Sequence, residues 1–186
     1  DNTMSNNDRY RWIEYHKWSL KADWYYPLSS NQKLILRASA QMGFIGTYDK
    51  HKPSPFEGFQ MGGDGMSGYN LYGVDVVGLR GYENGSLTPE NQKSMAYNKY
   101  TLEIRNPFVD KGQTIIYGLA FAEAGNAFDK LRNFDPFLVK RSVGVGVRLH
   151  LPMIGMIGID WGYGFDRDIY GRKGGGQPHF MIGQQF

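Results

Sequence analysis

Cysteine is absent from the 186 residues, so the chain contains neither disulfides nor thiolate metal sites. The four histidines are scattered and match no HExxH or similar ligand spacing, so we expect no metal and no other cofactor. The Gly-rich segments GGDGMSG and RKGGGQ match neither a Walker loop nor a dinucleotide fingerprint, which argues against a nucleotide site of either kind.

A long apolar run is also missing. No stretch approaches the roughly 18 to 20 consecutive apolar residues of a membrane-spanning helix, and the mean hydropathy is -0.50. A membrane location stays open, because a transmembrane barrel strand needs only about 9 to 11 residues that are apolar at alternate positions.

The chain also lacks a large excess of charge of either sign. The 21 basic and 18 acidic residues are spread along the chain, so a nucleic-acid partner is not expected. Residues 1–9, DNTMSNNDR, are polar and contain neither an initiator Met nor a signal peptide, so we expect the chain to be mature or excised material.

Glycine and aromatic residues are abundant: 25 Gly, 13 Tyr, 11 Phe and 4 Trp. This composition suits many strands joined by turns. Apolar and polar residues alternate in six runs, of which the clearest places Val143 and Val145 opposite Ser142. The polar faces of two other runs contain Glu103 and Asp160. The alternation predicts strands over residues 16–27, 33–44, 97–108, 141–152, 156–166 and 178–186.

A seventh run, TIIYGLAFAEAGNAF at 114–128, is ambiguous. Glu123 has the same parity as Leu119 and Phe121, so acidic and bulky apolar side chains share one face. Either a bulge near Gly125 shifts the parity, or the bulky face points inward against something packed in the lumen of a barrel.

Short and long connections alternate along the chain. LSSNQ, VDKGQ and MIG are short, whereas DKLRNFDPFLVK, RDIYGRKGGGQ and the segment 49–95 are long and polar, as in outer-membrane barrels. A soluble antiparallel sandwich or barrel is the alternative, but aromatic residues towards the strand ends favour the membrane. Because an open edge cannot face lipid and such barrels usually have at least eight strands, seven strands predict part of a larger barrel.

The ordered set of segments FEGFQMGGD, VGLRGY, YTLEIRNPF, AFAEAGNAF, GVGVRLHLPMIG, IDWGYGFD and HFMIGQQF resembles the C-terminal portion of the BamA family of outer-membrane assembly barrels. The resemblance runs from about His16 to Phe186. It implies an all-β fold, in which residues 1–186 are the C-terminal part of a transmembrane antiparallel β-barrel. They supply about seven of its 16 strands and a long outer loop, at about 49–95, that folds into the lumen.

In that family the loop carries a Val-Arg-Gly-Phe type motif whose arginine contacts acidic residues on the inner strand faces. The resemblance therefore implies that Arg80 latches the loop through Glu103 and Glu123, and a partly desolvated arginine does need such carboxylate partners. The alternative is that Arg80 is a solvated loop residue. The residues matched to the motif are Leu79, Arg80, Gly81 and Tyr82.

The terminal segment HFMIGQQF resembles the last strand of the family. The resemblance implies a lateral gate, in which this strand pairs weakly with the first strand of the barrel, opens, and adds a client strand at its edge. The predicted gate residues are Phe180, Ile182, Gly183 and Phe186.

The function implied is the folding and insertion of β-barrel proteins into the bacterial outer membrane, without enzymatic chemistry. The implied partners are unfolded outer-membrane protein clients, outer-membrane lipid, accessory assembly lipoproteins or subunits, and the N-terminal part of the same barrel. The C-terminus is expected on the periplasmic side. A polypeptide-secretion transporter of the two-partner type and a passive channel are the alternatives, while His150 and Asp160 lack the serine elbow that a hydrolase would need.

Overall fold

The structure, a computed structural model, describes residues 14–48, 57–66, 73–89, 93–111, 114–151 and 155–183. These ranges contain one 3-10 helix, Leu131–Asn133, and nine strands. The strands are β1 (Tyr15–Pro27), β2 (Ile35–Thr47), β3 (Gly58–Met61), β4 (Val74–Val77), β5 (Ala96–Lys111), β6 (Thr114–Phe128), β7 (Lys140–Leu151), β8 (Gly155–Arg167) and β9 (Lys173–Gly183). No helix within these ranges is long and apolar enough to span a bilayer.

Seven strands form one antiparallel sheet in the order β1-β2-β5-β6-β7-β8-β9. Each strand pairs with the next one along the chain, except that the chain leaves the sheet between β2 and β5. Among the described strands β1 and β9 are the two edges, so the sheet is an open part of a barrel. The prediction of an all-β fold with seven antiparallel strands is confirmed.

The two faces of the sheet differ as the alternation predicts. The apolar face is exposed, with Val145 57% and Trp161 53% accessible, and we call it the outer face. The opposite face, here called the inner face, buries polar side chains such as Glu103 and Asp160. This pattern is the reverse of a water-soluble sheet, which would bury its apolar face.

Of the two alternatives predicted for β6, the structure shows the second, in which the bulky side chains point inward. Leu119, Phe121 and Glu123 are all buried on the inner face, and the register of β6 against β7 runs without a shift as far as Gly125. The irregularity lies instead in β5, between Pro107 and Val109. The aromatic and aliphatic side chains of β6 therefore meet something on the inside of the sheet.

The described parts of the segment between β2 and β5 lie against the inner face; they are residues 57–66, 73–89 and 93–95. We refer to residues 48–95 as the loop. Its short strands β3 and β4 pair in parallel, which the sequence did not predict. Loop and sheet share a buried apolar cluster, which consists of Phe59, Met61, Val77, Leu79, Tyr82 and Leu87 from the loop and Ile45, Tyr97 and Ala127 from the strands.

The last strand differs from its prediction. It begins at Lys173, and the connection from β8 spans only residues 168–172, so the long connection predicted to reach residue 177 is wrong. Three consecutive glycines at 174–176 lie inside β9 and carry no alternation that could reveal a strand. Phe186, the last of the predicted gate residues, lies outside the described residues.

Candidate functional site

The tip of the loop lies directly on the backbone of β8. Gly81 has a φ of 89°, and a Cβ at this position would meet the backbone nitrogen of Gly164 at 2.7 Å. A Cβ on Gly162 would meet the backbone nitrogen of Gly81 at 2.6 Å. A Cβ on Gly164 would meet the carbonyl oxygen of Gly81 at 2.4 Å. Glycine is therefore required on both sides of this contact, because any Cβ would push the loop off the strand.

Arg80, next to this glycine, extends into a buried cluster of carboxylates and is itself only 7% exposed. Its Nη2 donates to Oε1 of Glu123 at 2.7 Å and to Oε2 of Glu103 at 3.3 Å. Its Nη1 donates to Oδ2 of Asp160 at 3.0 Å, and its backbone nitrogen donates to the second oxygen of Glu123 at 2.9 Å. One loop residue thus binds β5, β6 and β8 together through charge-assisted hydrogen bonds.

The guanidinium also stacks on an aromatic ring. Its Cζ lies 3.5 Å from the ring centroid of Phe121, which is within the range of a cation–π contact. This contact explains why Phe121 and Glu123 share the inner face of β6. The ring supports the plane of the guanidinium, and the carboxylate two residues further accepts its hydrogen bonds.

Each carboxylate of the cluster has a second cation. Lys99 lies 3.2 Å from Glu123, Arg105 binds Glu103, and Arg148 binds Asp160 through two hydrogen bonds of 2.6 and 2.7 Å. We call these residues the ion cluster. Arg37 also lies 4.0 Å from Glu103. Three acids therefore face five cations, which are Arg80, Lys99, Arg105, Arg148 and Arg37. The cations on the strands neutralise the acids on the strands, and Arg80 is an additional positive charge that comes from the loop.

Arg80 is held in its charged form. Burial would lower its pKa, but the carboxylates of Glu123, Asp160 and Glu103 outweigh that effect, and the pKa lies above its ordinary value. Tyr82, two residues further, is neutral, since burial raises its pKa to about 12. Its hydroxyl donates to the carbonyl of Arg141 at 2.8 Å and accepts from the backbone nitrogen of Asp166 at 3.2 Å.

The base and the outer side of the loop have their own ties to the sheet. Lys17 on β1 contacts Glu57 at 3.0 Å and Asp75 at 2.8 Å. On the far side, Arg172 in the β8–β9 turn contacts Glu83 at 2.9 Å in an exposed ion pair. The loop is thus held at its base, at its tip and at its side.

The structure brings the predicted latch residues together. The predicted gate residues that it describes lie on β9. Arg80 contacts both Glu103 and Glu123, as described above. Phe180 and Ile182 lie on the outer face of β9, 56% and 68% exposed, and Gly183 ends the strand with a φ of 132°. The hydrogen bond between the tip and β9 is made by His179, whose Nε2 accepts at 2.8 Å from the backbone nitrogen of Gly81. Gly174 of β9 also lies against the tip, since a Cβ there would be 2.8 Å from the carbonyl oxygen of Gly81.

Sequence reasoning missed several members of this site. Asp160 as a partner of Arg80, the cations Lys99 and Arg148, and the acceptor His179 were not predicted. The alternation predicted that Asp160 lies on the polar face. It gave no indication that Asp160 contacts Arg80. His150 does not join Asp160, because it pairs with Met156, four residues or about 13 Å away along β8.

The contacts of the site are mainly ionic. Within the described ranges, no group of three or more His, Asp and Glu side chains is placed to hold a metal ion. What the arrangement does is hold a loop against a sheet through buried charges that cross three strands.

An open antiparallel sheet with an apolar outer face, a charged inner face and a loop packed inside defines an outer-membrane β-barrel. Residues 4–186 match the Omp85 superfamily domain, and the chain belongs to that superfamily. The predicted family resemblance and barrel class are thereby confirmed.

A comparison with curated proteins finds no match. Among solved structures, the chain is similar to BamA from Haemophilus ducreyi lacking POTRA domains 1-3, with a TM-score of 0.65 and 16% sequence identity. The similarity covers 90% of this chain and 35% of that chain, so the described fold corresponds to about a third of the solved protein. At this identity the likeness concerns the fold.

Proposed function

We propose that the chain takes part in the folding and insertion of β-barrel proteins into the bacterial outer membrane, with β9 as a lateral gate and the loop latched by Arg80. The proposal gives the C-terminus a periplasmic position. Its partners are unfolded barrel clients, outer-membrane lipid, accessory subunits and the remaining strands of the barrel. No covalent chemistry is needed.

The observation that carries the proposal is the character of β9. It contains Pro178, which has no backbone N–H to donate, and three consecutive glycines. Proline is found on edge strands for this reason, and glycine weakens a strand by its conformational freedom. Such a strand pairs weakly with a permanent neighbour and leaves room for an incoming strand.

The latch supports the same proposal. A gate strand needs a rigid neighbour, and β8 is tied to β5 and β6 through the contacts of Arg80 with Asp160, Glu103 and Glu123. In this arrangement β9 can separate from the first strand of the barrel while β5, β6 and β8 stay in place. The loop tip would act as the fixed point against which the gate opens.

The test is client folding in liposomes that contain the full-length parent protein. The rate at which an unfolded model barrel acquires its compact, heat-modifiable form is compared for wild type, Arg80→Ala and Arg132→Ala. Arg132 is an exposed arginine of the β6–β7 connection and serves as the matched control. We expect acceleration by wild type and by Arg132→Ala, and its loss with Arg80→Ala. If the parent does not accelerate folding but exports a partner polypeptide or conducts ions, the transporter or channel function replaces this proposal.

Pairing of a client with β9 can be tested directly. Because this chain lacks cysteine, Ile182→Cys offers one thiol on β9, in a parent whose other cysteines have been replaced. A client with a single cysteine in its own terminal strand should form a disulfide with Ile182→Cys during folding. An equally exposed position on β1, Leu20→Cys, should not cross-link, and equal yields at both sites would contradict the gate.

A further inference from the structure

His179 links the loop tip to β9 at a point that the ion cluster does not reach. The imidazole lies on the inner face and is 7% exposed, and it stands opposite Asp160 in the register of β8 and β9. Its Nε2 is 2.8 Å from the backbone nitrogen of Gly81. The residue before Gly81 is Arg80, so the two contacts hold adjacent residues of the same turn.

The direction of this hydrogen bond determines the protonation state of the ring. A backbone N–H can only donate, so Nε2 must present a lone pair, and the imidazole is neutral with its proton on Nδ1. A protonated imidazole carries N–H groups on both nitrogens. It would face the N–H of Gly81 with a second donor, and the contact would change from a hydrogen bond to a repulsion.

Charged groups from every neighbouring element act on the ring. They are Asp64 and Arg80 from the loop, Asp160 from β8 and Glu123 from β6. Arg80 remains charged throughout because its pKa is far above neutrality, so His179 is the titratable part of the tip contact.

We propose that His179 is a positioning residue that couples the loop tip to β9 in its neutral form and uncouples them when it is protonated. The latch of Arg80 and the contact of His179 then have separate roles: the first ties the loop to β5, β6 and β8, and the second ties it to β9. Only the description of β9 as a gate rests on the proposed function. The coupling itself is a property of this chain.

The experiment measures the distance between the tip and β9 without any client. Spin labels are attached at Glu83→Cys on the loop and Ile182→Cys on the outer face of β9, in the full-length parent, free of other cysteines, in lipid nanodiscs. The loss of the exposed Glu83–Arg172 pair is a small perturbation. Distance distributions are recorded at about pH 7.5 and about pH 5, on either side of the ordinary histidine pKa.

We expect a narrow distribution for the wild type near pH 7.5 and a broad one near pH 5. His179→Gln, whose amide oxygen accepts the same hydrogen bond but does not titrate, should stay narrow at both values. His179→Ala should be broad at both. His150→Gln is the control, because it removes an exposed histidine near the end of β7, which does not pair with β9, and should leave the wild-type response intact.

The proposal is overturned if His179→Gln responds to pH as the wild type does, since another group would then titrate. It is also overturned if His179→Ala stays narrow or if the wild type does not respond to acid. Client insertion is scored separately in liposomes. A parent that fails to insert clients but shows the expected distances refutes the proposed function and leaves the coupling standing.

Discussion

Replacing Arg80 by alanine should release the loop and leave the sheet intact. The side chain makes hydrogen bonds to three carboxylates, and the removal of one partner from a buried ion pair typically costs about 3 to 5 kcal/mol. We expect the lower end of this range, about 3 kcal/mol of loop-docking free energy, because every carboxylate keeps a second cation. The backbone nitrogen of residue 80 also remains able to bind Glu123.

The assay uses a thiol at a buried position of the loop itself. Ser86 is 4% exposed, and its hydroxyl has no hydrogen-bond partner among the described residues, so Ser86→Cys places a reporter there without breaking a bond. We expect a maleimide to reach this buried thiol when the loop leaves the sheet. A change of about 3 kcal/mol in docking therefore raises the labelling rate on the order of 100-fold.

The matched control is Arg172→Ala, which removes another arginine that binds the loop. This side chain is 53% exposed, and exposed pairs contribute only about 0 to 1 kcal/mol, so labelling should rise by less than about fivefold. Equal labelling of the two variants would refute the importance of the buried cluster. We expect the sheet of Arg80→Ala to stay intact because the strand cations still neutralise the acids. A large fall in the unfolding midpoint of this variant would refute that expectation.

Three further predictions follow from the same geometry. Glu123→Gln removes the carboxylate that pairs with the half-buried Lys99 as well as the main partner of Arg80, so it should lower the free energy of unfolding by about 3 kcal/mol, measured by urea denaturation in lipid. Gly164→Ala would place a Cβ 2.4 Å from the carbonyl of Gly81 and should loosen the loop by about 1 to 3 kcal/mol, seen as faster thiol labelling. Val145→Arg, on the outer face, should destabilise the barrel in bilayers by about 2 to 4 kcal/mol if that face meets lipid, and an unchanged stability there would contradict the assignment of the face.

The strands were predictable because an alternating pattern is local. The run at 114–128 coincides with β6, and the other antiparallel strands lie within a few residues of their predicted bounds, except at the start of β9. The glycines at 174–176 have no side chain to alternate, so the beginning of β9 carried no signal. The parallel pair of β3 and β4 is only four residues long in each strand and depends on the path of the loop.

The site was only partly predictable, for a different reason. The resemblance implied Glu103 and Glu123 as partners of Arg80, and the alternation placed Glu103 and Asp160 on the polar face. Asp160 follows Arg80 by 80 residues, and nothing local states that the two should meet. Their contact depends on the register of β8 and on how far the loop tip reaches across the sheet.

The sequence by itself determined which face of each strand is apolar, since side chains alternate with a period of two whatever the strand pairs with. It also supplied the glycines that permit the tip to touch β8. Only the tertiary structure decided that Arg80 binds three strands, that each acid has its own second cation, and that His179 accepts a hydrogen bond from Gly81. These are contacts between residues far apart in the chain, and they exist only once the register of the sheet and the position of the loop bring the atoms within hydrogen-bond distance.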